Sequence, residues 1–170
     1  MHLAKRFAVL LFSLLMFAPV FAADKAESDA QKAARYTAAL EKDPFASDAK
    51  EMRTWTFQWL VDTKDYRVVL CLNILGTKKV DEVPYGGELM VQQMFGNVAY
   101  QINNPGKHDE ASKQVAGMES MLKAYSVIIA RDAKARMPYL DNLLAEQKKG
   151  TLKDYLAPVV QKSCNGTKKS

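Results

Sequence analysis

The apolar positions Ala111, Val115, Met118, Leu122, Tyr125 and Ile129 advance by alternating steps of four and three residues. Such spacing lines up on one side of an α-helix, and a stripe that long has to be buried against another element. Just upstream, Val91, Met94, Phe95, Val98 and Ile102 trace a second stripe and predict a helix over residues 88–103. Between the stripes stands Asn104, Pro105, Gly106. Asn and Gly tolerate left-handed backbone and Pro holds its φ at a turn value. Two amphipathic helices joined by a short polar turn lie side by side, so an αα-hairpin is expected at the centre of the chain.

The flanking segments follow the same logic. Residues 27–42 carry Ala33, Tyr36, Ala39 and Leu40 at helical spacing, and Asp43 with Pro44 ends the run. Ser47 and Asp48 signal a second start. In that helix Met52, Trp55 and Trp59 mark one face, while Phe57 and Val61 lie on the flank, which predicts burial around much of its circumference. Pro138 suits the first turn of a helix carrying Leu140, Leu143 and Leu144, with Gly150 closing it. Thr151 with Asp154 resembles a capping box, and Leu152, Tyr155, Leu156 and Val159 form a last apolar face, kinked or broken at Pro158.

Residues 66–75, YRVVLCLNIL, form a short apolar run that periodicity alone cannot assign. Val68, Val69 and Ile74 suit a short strand over 67–75, yet no second strand offers to pair its backbone groups, so a buried helix is favoured. The expected fold class is all-α: a single-domain helical bundle of about five to seven helices around a central αα-hairpin.

The stretch AARYTAALEKDP, with Tyr36, Ala39, Leu40, Asp43 and Pro44, resembles the second helix of a tetratricopeptide repeat, and residues 45–60 resemble the next first helix. No second copy follows one repeat length later, and stacked repeats need about three units. The stretch is therefore read as ordinary helix-ending chemistry.

Residues 1–22 read as a secretory signal: Lys5 and Arg6 in front, an uncharged apolar run over 7–18, then small residues Val20 and Ala22 before the expected cleavage. The apolar run is short for a spanning helix, carries Pro19 and gives way to Asp24, Lys25 and Glu27. The expected organisation is a cleaved signal over 1–22, a helical domain over 23–164 and a disordered basic tail over 165–170, in a periplasm or outside the cell. Removing 22 residues from 170 leaves 148, and removing Lys5 and Arg6 leaves 22 basic residues against 19 acidic, a net charge of +3. So mild an excess, with no clustered basic face, gives no warrant for nucleic-acid binding.

In an oxidising compartment Cys71 and Cys164, the sole cysteines, are expected to form one intramolecular disulfide, with free thiols or an intermolecular bridge as the alternatives. The loop closed would hold 94 residues, counting both cysteines, corresponding to about 4 to 5 kcal/mol in the chain-entropy model. The absence of a CxxC spacing leaves a thioredoxin-type role without a motif.

Little in the sequence carries catalysis. Without the signal His108 is the single histidine, which excludes sites needing two, and no metal or cofactor is expected. His108 with Ser112 lacks any G-x-S-x-G turn, so His108 or Asp109 is read as a helix start, with Asp109 and Glu110 complementing the helix dipole. Gly86 and Gly87 lack the spacing and lysine of a phosphate loop. Carboxylate pairs are the remaining enzymatic option, with Glu88, Glu119, Asp62 and Asp65 as candidates; Asp81 and Glu82 sit in a loop without calcium-site spacing. Trp55, Tyr85, Tyr100 and Tyr139 are large enough to line a ligand groove and equally suited to the core.

The expectation is an exported, soluble helical module of the cell envelope that binds a protein or small-molecule ligand rather than catalysing, with no membrane-spanning segment in the mature chain. The alternatives are a small envelope hydrolase using a carboxylate pair, and a protein docking on anionic envelope surfaces through Lys162, Lys168 and Lys169.

Overall fold

The computed structural model describes residues 26–71, 74, 84–106 and 109–164. These residues are all-helical: α1 (Asp29–Lys42), α2 (Ala49–Asp62), α3 (Gly86–Asn103), α4 (Glu110–Arg131), a short 3-10 turn (Ala133–Ala135), α5 (Pro138–Lys149) and α6 (Leu152–Ser163). Among them no helix is long and apolar enough to cross a membrane. The signal segment, Asp81, Glu82, His108 and the tail with Lys168 and Lys169 lie outside the described residues.

The central hairpin is present, with α3 and α4 joined through Asn104 to Gly106, where Gly106 takes the left-handed φ of 80° that a side chain would resist. α4 is the hub, packing against α1, α3, α5, α6 and the 3-10 turn. Its predicted stripe is buried as Val115, Met118, Leu122, Tyr125 and Ile129, joined by Met121 and Ile128. This side meets Leu140 and Leu143 of α5 and Leu152, Leu156 and Val160 of α6 in the larger core. Cys71 and Cys164 are bonded inside that core, with Cα atoms 5.3 Å apart.

The contact of α4 with α3 is built differently. Gly96 of α3 lies against Ser120 and the Ala116 carbonyl, and Gly117 of α4 lies against the Gln93 carbonyl, so close that a Cβ on Gly117 would stand 2.6 Å from that oxygen. The α3 residues facing inward are Leu89, Gln92, Gln93, Phe95, Gly96, Asn97, Val98 and Gln101, whereas the expected Val91, Met94 and Ile102 are only half-buried. The α3 stripe read from apolar spacing is thus rotated, because small and amide side chains occupy the close crossing.

Local chemistry sets several helix ends. Ser28 caps α1 in a reciprocal box with Gln31, Asp109 caps α4 by accepting the Ser112 N–H at 2.8 Å, and Gly150 ends α5 at φ 78°. Three expectations are corrected. Thr151 does not form a capping box with Asp154; its hydroxyl turns back to the Glu146 carboxylate at 2.6 Å. α6 runs unbroken through Pro158, its Leu152, Leu156 and Val160 held in the core on both sides of the ring. α2 is not buried around its circumference: Phe57 and Val61 are 43% and 63% exposed, and inward-facing Ala49, Met52 and Thr56 form a narrow stripe.

Residues 66–71 are neither the favoured helix nor a strand. Their backbone is met by side chains: Gln101 Nε2 donates to the Arg67 carbonyl at 3.0 Å and Gln114 Nε2 to the Val69 carbonyl at 2.6 Å. Amides projecting from the hairpin substitute for the missing partner strand.

Candidate functional site

The carboxylates do not assemble into a catalytic pair. Glu88 is exposed in the first turn of α3 and Glu119 is exposed on α4. Asp62 accepts from Gln58 at the end of α2, and the Asp65 N–H binds the Thr63 hydroxyl in the loop beyond. Among the described residues no group of three or more His, Cys, Asp or Glu stands ready to hold a metal ion. Ser112 is occupied as the partner of the Asp109 cap, and the bond from its N–H holds the Asp109 carboxyl below the usual carboxylate range. Lys162 is exposed in the last turn of α6.

The four aromatics singled out by size separate. The Tyr139 hydroxyl donates to the Ile74 carbonyl at 2.7 Å, and burial pushes its phenol up. Tyr85 packs edge-on against Phe45, whose ring also lies under the Arg131 guanidinium. Tyr100 is half-buried on α3. Only Trp55 belongs to a larger array.

That array runs along the outer side of α1 and α2. Tyr36 meets Trp55 edge-on with ring centres 5.4 Å apart; Trp55 lies parallel to Trp59 at 6.4 Å; Trp59 meets Tyr66 at 5.7 Å. All four rings are half-buried, and the two indoles stand outside the smaller core of Leu40, Ala49, Met52 and Phe95. Helical geometry sets the middle of this strip, since residues four apart follow one another at about 6 Å along the axis. Tyr36 joins from the neighbouring helix and Tyr66 from the extended segment held by Gln101.

Cations sit at the α1 end. Lys32 Nζ lies over the Trp55 ring at 4.1 Å and over the Tyr36 ring at 5.4 Å, a geometry that attracts an ammonium to the negative ring face. Arg35 lies over Tyr36 and also forks onto Glu27 at 2.8 Å. The pairing holds the Glu27 carboxyl below its usual range and keeps Arg35 charged. The Lys32 charge also acts on the Glu27 carboxyl and helps hold it low.

An open hollow of about 560 Å³ adjoins the Tyr36 end, lined by Arg35, Tyr36, Lys42, Asp48 and Met52. Another, of about 480 Å³, flanks α2 on its other side between Phe57 and Glu88. Sequence reasoning singled out Trp55 but placed Tyr36 and Trp59 on core faces and passed over Lys32 and Tyr66. The available signal was the Trp55, Trp59 spacing together with Phe57 and Val61 on the same helix, too many large apolar groups for one buried stripe.

No family model, no curated protein and no solved structure matches the chain.

Proposed function

We propose that the chain is exported after loss of residues 1–22 and serves in the periplasm or outside the cell as a non-catalytic binding module, with the Tyr36, Trp55, Trp59, Tyr66 strip as its binding face. The observation carrying this reading is four contiguous rings lying half-exposed beside a cation, where a solvated helix face ordinarily carries charge. Aromatic rings offer large contact area at small entropic cost, which is why they concentrate in binding surfaces. The Cys71 to Cys164 bond suits an oxidising compartment, as does the N-terminal sequence. The hydrolase alternative requires two acids facing one another across a cleft, whereas Glu88 and Glu119 are exposed on separate helices.

Two measurements test the reading. Non-reducing mass spectrometry of protein from the native envelope should give a chain starting at Ala23 and lighter by the two thiol protons; an intact Met1 with free thiols overturns export. Oxidative footprinting should label Trp55 and Trp59 strongly in purified protein and weakly in envelope preparations. Equal labelling in both overturns the assigned face.

A further inference from the structure

We infer that the α3–α4 crossing holds one buried water molecule, accepting from Asn97 Nδ2 and donating to Gln93 Oε1, and that this water closes a continuous clasp of amides on the carbonyls of Arg67 and Val69.

The sign of each link follows from the two carbonyls. A backbone carbonyl accepts and cannot donate, so it fixes how an amide that meets it is turned. Gln101 Nε2 donates to the Arg67 carbonyl at 3.0 Å and to Asn97 Oδ1 at 2.9 Å, which turns Asn97 Nδ2 away from Gln101. Gln114 Nε2 donates to the Val69 carbonyl at 2.6 Å, and its Oε1 accepts from Gln93 Nε2 at 3.0 Å. Each half of the clasp therefore ends on an atom of fixed sign, a donor at Asn97 and an acceptor at Gln93. Both side chains are fully buried, and neither of these two atoms has a partner among the described residues.

The two ends belong to one helix face. Gln93 and Asn97 stand one turn apart on α3, a separation of about 6 Å along the axis. Gln93 reaches across to Gln114 of α4 rather than along α3 to Asn97. A water that accepts from one amide and donates to another spans about 5 Å, since its two bonds of about 2.9 Å meet at an angle.

Polarity selects the occupant. A cation would face the Asn97 N–H and an anion the Gln93 oxygen, so either ion is repelled at one end and stays uncompensated in a buried site. A small neutral group that accepts and donates suits both ends, which is the ordinary role of buried water. With it, Asn97, Gln93 and Gln114 each accept at oxygen and donate at nitrogen, an alignment in which successive bonds strengthen one another. The clasp grips the segment that delivers Tyr66 to Trp59, so the water helps to set one end of the aromatic strip, whatever that strip binds.

The test records water-selective NOE and ROE spectra of the side-chain amides in the nitrogen-labelled, disulfide-bonded chain. The Asn97 side-chain protons should show direct contact with water, with the ROE sign that separates contact from proton exchange and the NOE sign of a water held longer than the protein takes to tumble. Asn97→Leu, which puts carbon in place of the amide, should abolish the water contact at the Gln93 side-chain protons. A crystal structure should place one water within about 3 Å of both atoms. Asn97 protons without a long-lived water contact, a direct Asn97 to Gln93 bond in the crystal, or a water contact at Gln93 that survives Asn97→Leu would each overturn the assignment. Where the variant folds poorly, the spectra of the unsubstituted chain decide.

Discussion

The two sides of α4 are held by different physics. Toward α5 and α6 it presents Met118, Leu122, Tyr125 and Ile128 to an apolar core closed by the Cys71 to Cys164 bond. Toward α3 it presents Gly117, Ser120 and Gln114 to Gly96, Gln92 and Gln93. The first interface gains mainly from area removed from water and tolerates changes that keep volume. The second gains from backbones approaching closely and from amides satisfied in place. Gln92 Nε2 bonds the Thr37 carbonyl and the Ser120 hydroxyl, and Gln101 bonds both Asn97 and Arg67. Gln93 Oε1 and Asn97 Nδ2 of α3 find no partner among the described residues, so this side also carries desolvation cost.

The largest expected effect tests the apolar side. Replacing Cys71 and Cys164 together by Ala should cost about 4 kcal/mol, read as a lower midpoint in urea. A loss under about 1 kcal/mol would mean that the core supplies that side's stability without the staple. Leu122→Ala, which opens a cavity between α4 and its neighbours, should cost about 3 kcal/mol by the same assay.

The glycine crossing gives a contrast of sign. Ala normally stabilises a helix relative to Gly by up to about 1 kcal/mol. Gly117→Ala should instead destabilise by about 2 kcal/mol, because the added Cβ meets the Gln93 carbonyl at 2.6 Å and backbone has little room to yield. A neutral or stabilising result would show that α3 and α4 separate easily, and the contrast between the two sides would collapse.

Gln101→Leu probes the amide bonds themselves, removing the donor held by the Arg67 carbonyl and the Asn97 amide. The expected cost is about 1 to 2 kcal/mol. Faster amide exchange should be confined to residues 66–71 and the Tyr66 end of the aromatic strip; uniform acceleration would assign Gln101 to global packing.

The smallest effect lies at the start of α4. Asp109→Ala should cost about 1 kcal/mol near neutral pH through loss of the cap on Ser112. The Asp109 carboxyl sits below its ordinary value of 3.8 in the folded chain, so its contribution is complete above that value and is lost as pH falls through the lower folded one. The difference between the two proteins should therefore vanish in acid. A difference independent of pH would assign the effect to helix propensity.

Both the hairpin and the buried side of α4 are legible from residue spacing, because apolar burial leaves a periodic trace. α5 could be bounded by Pro138 and Gly150 for a similarly local reason. For residues 66–71 sequence reasoning favoured a buried helix that the fold does not form, since what satisfies their carbonyls is a pair of glutamine side chains 34 and 45 residues away. The aromatic strip was legible only at Trp55; Tyr36 and Tyr66 join it from other elements, and spacing within α2 cannot reveal them. His108, Lys168 and Lys169 stand outside the described residues, so their expected roles rest on sequence.

The sequence by itself determined an all-α chain with a central hairpin and a cysteine pair able to close it, because helix periodicity, turn chemistry and cysteine count are local or additive properties. Tertiary structure decided which face of α3 turns inward, how residues 66–71 find their hydrogen bonds, and that four rings and a lysine from three segments form one surface. Those outcomes depend on close approach between residues far apart in the chain, and one-dimensional spacing does not encode such distances.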